Sequence, residues 1–195
     1  MIDRLVVASK NRDKIEEMED VLVATGVVGE IVRGLDWPDV DETEPTLEGN
    51  ALLKAKAVER ATGLCAVADD TGLEVLALGG APGVYTARYA GPEATYDDNV
   101  TKLLDEMSGF DDRRARFRTA VALVGGGYPD LVVEGSIDGV ISRQRRGAGG
   151  FGYDPVFEVD GETFAEMGVA RKNVLSHRAR AIRALVEALS RRTDP

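Results

Sequence analysis

Residues 64–75, LCAVADDTGLEV, run apolar from Leu64 to Ala68 and then meet Asp69 and Asp70 before the polar pair Thr71-Gly72. Carboxylates at the carboxyl end of a strand stand where ligands of α/β sheets bind, and there they can hold a hard cation or take a proton from water. An Asx-turn closing the strand is the other use of the same DDTG. Cations gather at two helix starts, where they are unfavourable unless an anion joins them. Lys10, Arg12 and Lys14 surround the first, in SKNRDK; Lys172, His177 and Arg178 surround the second, with Ser176 as its N-cap. The chain has eighteen arginines and only six lysines, and five of the six, Lys10, Lys14, Lys54, Lys56 and Lys172, fall in these segments and in one further helix. A compact ammonium meets phosphate as a point charge where a planar guanidinium does not fit. In that further helix Lys54 lies on the stripe of Leu47, Ala51, Val58 and Ala61, so it either snorkels to the core edge or turns inward to an anion. The loop DWPDVDETEPTLEGN concentrates Asp36, Asp39, Asp41, Glu42, Glu44 and Glu48, of which one or two can join Asp69 and Asp70 on magnesium. In GGFGYDPVF, glycines flank Phe151 and Tyr153; either the rings present a stacking face or they feed the core.

The elements that must position these residues follow from periodicity. Leu5 to Ala8 predict a strand, SKNRDK a loop, and Ile15, Met18, Val21 and Leu22 a helix. Further helices are predicted over 47–61, 96–107 and 176–192, and β-rich runs between Arg116 and Ile141 predict an antiparallel hairpin. Alternating β and α segments followed by a hairpin imply an α/β fold with a mixed sheet. The 195 residues suffice for one well-buried domain, with no linker or repeat dividing 1–195. Acidic residues outnumber basic ones by 34 to 24, which argues against nucleic acid and for a small partner met by local cations. The one cysteine, Cys65, sits in an apolar run and favours a core position in a reducing, cytoplasmic compartment. No segment approaches the roughly 20 apolar residues of a membrane span. A single histidine excludes a multi-histidine zinc site, and no P-loop pattern occurs.

ASKNRDK, ETEPTLEGNALLKAKA, ADDTGLEVLALGGAPGVYTARYAG, GGFGYDPVF and KNVLSHRARAI occur in order with the spacing of one family. From Val6 to Leu185 the chain resembles the inosine/xanthosine triphosphate pyrophosphatases. The resemblance implies an elongated, two-lobed α/β fold with a central mixed sheet flanked by helices, an active-site cleft between the lobes, a homodimer, and magnesium-dependent hydrolysis of ITP, dITP and XTP to the monophosphate and pyrophosphate. It implies Asp70 as proton acceptor and metal ligand, Glu42 as the second metal ligand, and Asp69 in support. Ser9, Lys10, Asn11, Arg12, Asp13 and Lys14 match the triphosphate loop, Lys54 a phosphate contact, and Thr71 a substrate contact. Phe151, Gly152, Tyr153 and Asp154 match the base-stacking loop, and Lys172, His177 and Arg178 the segment that reads the purine edge. The first loop departs from the family, with Ser9-Lys10-Asn11 where a small residue is usual at the middle position.

The chemistry implied is in-line attack by water, activated by Asp70, on the α-phosphorus. A histidine or arginine donor satisfies the 6-keto oxygen of hypoxanthine or xanthine, whereas adenine offers an amino donor there and leaves both groups unpaired. Two other readings are a Maf-like pyrophosphatase for modified pyrimidines, disfavoured by GGFGYDP and SHR, and a non-catalytic triphosphate sensor, disfavoured by intact Asp70 and Glu42.

Overall fold

The computed structural model describes residues 2–193, so Met1, Asp194 and Pro195 of the expected single domain lie outside the described residues. Strand β1 (Ile2–Val7) leads through Ser9-Lys10 into α1 (Arg12–Thr25), which Asn11 caps by accepting from the Lys14 amide and Gly26 ends at φ 66°. After β2 (Val28–Ile31) and the acidic loop, α2 (Leu47–Thr62) starts at Thr46, whose hydroxyl accepts from the Gly49 amide. Strand β3 (Cys65–Val75) is followed by the two-residue β4 (Pro82–Gly83) and by α3 (Tyr96–Glu106), which opens on a capping box of Thr95 and Asp98. Then come β5 (Arg114–Gly125), β6 (Tyr128–Ile141), β7 (Phe157–Val159), β8 (Glu162–Thr163), α4 (Val169–Leu175) and α5 (His177–Thr193).

The eight strands form one mixed sheet in the order β2-β1-β3-β5-β6-β7-β8, with β4 attached to β3. Strand β1 pairs in parallel with β2 and β3, whereas β3–β4, β6–β7 and β7–β8 are antiparallel. Only Gly126 and Gly127 link β5 to β6, both at positive φ, and so short a link between neighbouring strands leaves only the antiparallel hairpin that the sequence predicts. The α/β class, the four main helices and the hairpin are as expected, except that α1 begins at Arg12, inside the segment SKNRDK read as loop, because the Asn11 cap starts the helix before its apolar stripe does. Strands β2, β4, β7 and β8 and helix α4 are additional, because each is too short for periodicity to stand out.

The strand predicted to stop at Asp69-Asp70 is a correction. Instead β3 continues through Thr71 and Gly72 to Val75. What changes at the two acids is the neighbour: Cys65 to Val67 pair with Leu5 to Val7, and Leu73 and Glu74 pair with Gly83 and Pro82. The carboxylates therefore occupy a length of strand beyond the end of β1, where partner cations rather than a turn satisfy them.

The chain forms two compact units, residues 1–70, 119–135 and 176–195, and residues 71–118 and 136–175. Each has its own apolar core. In the first, Leu5, Val7, Met18, Leu22, Val67, Leu123, Ile182 and Leu185 pack together around the buried Cys65. In the second, Leu73, Leu103, Met107, Phe117, Ile141, Phe157 and Phe164 do so. Burial raises the Cys65 thiol to about 11, so it is a core residue at neutral pH, as its sequence context implies.

Candidate active site

In the first unit, β3 presents Asp69 and Asp70, both buried, to side chains from α1, α2, α5 and the acidic loop. Lys54 of α2 reaches Asp70 Oδ1 at 3.2 Å and Glu42 Oε1 at 2.5 Å. Of its two expected courses, the lysine therefore takes the inward one. The buried face of α2 is Leu47, Asn50, Ala51, Ala55 and Val58, so Asn50 and Ala55 join the predicted stripe while Ala61 is exposed. Asn50, absent from the sequence reading, is held by its Oδ1 on the Glu44 amide and donates to Asp70 Oδ2 at 3.3 Å. An asparagine on a lysine-bearing apolar stripe was the available signal.

Asp69 is held differently. Lys14 Nζ lies 3.5 Å from Asp69 Oδ2, and Arg178 Nε donates to the same oxygen at 3.1 Å while its Nη1 donates to Glu17. Arg178 is 3% exposed, and its guanidinium pairs with both carboxylates, so that it ties β3 to α1.

These settings drive the neighbouring carboxyls in opposite directions. For Asp69 burial opposes ionisation, but Lys14, Arg178 and Lys54 together outweigh it and hold the group well below the usual carboxylate range. For Asp70 burial prevails: Lys54 and Lys14 favour the anion, Glu42 opposes it, and the pKa is raised. Lys54 stays firmly charged, since Asp70, Asp69 and Glu42 outweigh its burial. Lys14 is lowered because its own burial dominates. The two neighbouring acids are thus shifted in opposite directions by different partners.

The rest of the first loop is less concentrated than expected. Ser9 Oγ accepts from the Asn11 amide, and Asn11 caps α1. Lys10 pairs with Asp39 in an exposed contact, Arg12 turns outward to Glu16, and Asp13 is half-buried in the first turn. Thr71 follows Asp70 in β3, half-buried. At the start of α5, His177 is buried with Nδ1 2.6 Å from the hydroxyl of Thr119. Ser176 accepts from the Ala179 amide, the N-cap the sequence predicts.

The second unit gathers Phe151, Asp154 and Lys172. Asp154 Oδ2 accepts from the Phe151 amide at 2.8 Å and from Lys172, whose ammonium lies 4.9 Å from the centre of the Phe151 ring. Gly150 is at φ +69°, and a Cβ there would come within 2.0 Å of Asp154 Oδ2. Gly152 has φ +61°, so this turn needs both glycines. Of the two courses open to these rings, the core is the one Tyr153 takes. Tyr153 is buried, with its hydroxyl donating to the Thr86 carbonyl at 3.0 Å, while Phe151 stays half-buried beside Tyr96.

The donors suit a hard cation that brings ligands of its own. Glu42 Oε1 and Asp70 Oδ1 already meet on one ammonium, and magnesium is commonly held by one or two carboxylates plus substrate phosphate and water. Among the described residues no group of three or more His, Cys, Asp or Glu side chains is placed to hold a metal ion.

An α/β enzyme that handles phosphate is the class this fold and site define, because lysines lie on neighbouring buried carboxylates in the part of β3 that runs past the end of β1. Residues 5–188 match the Ham1 family, and the chain belongs to it. A dITP/XTP pyrophosphatase of Chlorobaculum tepidum is 48% identical over 95% of this chain and 92% of that protein. Another, of Mycobacterium bovis, is 44% identical over 97% of this chain and 96% of its own. The solved Ham1 protein of Staphylococcus aureus superposes with a TM-score of 0.85 at 35% identity, covering 98% of this chain and 100% of that one. That of Coxiella burnetii gives 0.86 at 36% identity, covering 97% and 100%.

Proposed function

We propose that this chain is a nucleoside triphosphate pyrophosphatase that hydrolyses ITP, dITP and XTP to the monophosphate and pyrophosphate, and so clears them from the nucleotide pool. The observation that carries the reading is the buried Asp70 carboxylate, hydrogen-bonded by Lys54 and Asn50, beside a buried Asp69 held by Lys14 and Arg178. Family membership and relatives named as dITP/XTP pyrophosphatases support it.

Asp70 takes a proton from the attacking water, whose oxygen bonds to the α-phosphorus as the α–β anhydride oxygen leaves with pyrophosphate. Lys14 and Lys54 supply fixed positive charge for the phosphate oxygens, and the capped start of α1 adds backbone amides. Glu42 and Asp70 are the residues we assign to magnesium, which when bound neutralises phosphate charge. Phe151 is the ring we assign to stacking on the base, and His177 the donor to its 6-keto oxygen. We further propose a cytoplasmic homodimer acting on free nucleotides and not on nucleic acid; among the described residues no helix is long and apolar enough to cross a membrane.

The test is pyrophosphate release with magnesium from ITP, dITP, XTP, GTP, ATP and a modified pyrimidine triphosphate. Turnover of the first three, with ATP at least about a hundredfold poorer, is expected from a keto-reading site. Preference for the pyrimidine would overturn the substrate assignment, and tight binding without turnover would indicate a sensor.

A further inference from the structure

Thr119 was not singled out by its sequence context, yet it is fully buried in β5 and its Oγ1 lies 2.6 Å from Nδ1 of His177, also buried. A second contact fixes the same turn. At Gly135 of β6, a Cβ would fall 2.3 Å from both the His177 carbonyl oxygen and the Ala181 amide nitrogen, so the first turn of α5 lies directly on the strand backbone. The backbone of His177 is thus set by Gly135, and its ring is met by Thr119.

A neutral imidazole carries its proton on one nitrogen and a lone pair on the other, so the bond made by Nδ1 decides what Nε2 offers. We propose that Thr119 is a positioning residue that donates its hydroxyl proton to His177 Nδ1 and so fixes the Nε2–H tautomer. This rests on the reading above that His177 meets the 6-position of the purine. With the proton on Nε2 the ring donates, which matches a keto oxygen and mismatches an amino group. The opposite tautomer would offer a lone pair and reward adenine. The specificity would then reside in a hydroxyl that never touches the substrate.

The single histidine of the chain makes this directly observable, because a long-range nitrogen–proton NMR spectrum of the labelled protein contains one imidazole. Wild type is expected to show a neutral ring protonated at Nε2, and Thr119→Ser to preserve it. Thr119→Val, which keeps the shape and deletes the hydroxyl, is expected to give mixed tautomers and to cut the ITP/ATP ratio of kcat/KM about tenfold, the scale of one lost neutral hydrogen bond. Should valine crowd the site and lower folding, Thr119→Ala makes the same deletion without the added methyl. A ring protonated at Nδ1 or at both nitrogens in wild type, or a spectrum unchanged in both the valine and alanine variants, overturns the proposal. His177→Gln separates the two readings: if it leaves the ITP/ATP ratio unchanged, the assignment of His177 to the base fails, whatever Thr119 does to the ring.

Discussion

Asp69 and Asp70 are the same residue type one position apart, and the fold gives them different partners and opposite shifts. Asp70→Asn keeps the shape and the Asn50 contact but removes the proton acceptor, so turnover is expected to fall by at least about a hundredfold, in the range that general-base removal costs. Stability should respond in the reverse order. Asp69 is depressed in the fold, so its contribution is present above 3.8 and lost as pH falls through the lower folded value. Asp70 is raised, so whatever it contributes is present at low pH and lost as pH rises through its folded value. At pH 7, Asp69→Asn therefore leaves Arg178 and Lys14 short of their buried counter-charge and should cost about 3–5 kcal/mol, while Asp70→Asn should hold or gain stability. Urea midpoints for the two variants at pH 7 decide this, and equal losses would refute the difference between the two acids. At this scale the sequence was legible in types and positions: the acids, Lys14, Lys54 and Glu42 do converge. Partner choice was not legible, because Arg178 and Glu17 are 161 positions apart and only the packing of α5 on α1 joins them.

At the scale of elements, periodicity carried most of the reading. Asn11, Thr46 and Ser176 each accept from a backbone amide at a helix start, but only Ser176 stands out in the sequence as a cap. The end of β3 was misread because a pair of acids followed by Thr-Gly resembles a turn, and local chemistry says nothing of cations arriving from three helices. Tyr153 was ambiguous for a similar reason, since a ring between glycines suits a loop or a core, and the Thr86 carbonyl that holds it is 67 positions away. Gly135 was invisible altogether: it lies in a strand, and nothing local shows that a helix crosses its Cα. Gly135→Ala would drive a methyl into the α5 backbone, where nothing flexible can give way. It is expected to cost at least about 1–3 kcal/mol, the scale of overpacking a tight interior. Thermal melting of the alanine variant checks this, and a melting temperature within a degree of wild type would show that α5 does not rest on the strand backbone.

The whole molecule is divided by contact into two units, but the chain passes from one to the other inside strands. Strand β3 does so after Asp70, β5 before Thr119 and β6 after Gly135, and only the passage at Leu175-Ser176 lies between helices. A linker can melt without disturbing its neighbours, whereas a strand ladder that loses half its length loses register in the remainder. We therefore propose that residues 1–195 unfold as a single cooperative domain although each unit has its own core. One tryptophan makes the proposal testable: Trp37 lies in the first unit, so its fluorescence reports that unit alone, while far-UV circular dichroism reports helices of both. Urea transitions followed by the two probes are expected to coincide in midpoint and slope. A circular dichroism transition with a second step that Trp37 does not share would show the second unit folding independently, and the three shared strands would then be covalent connections without cooperative consequence.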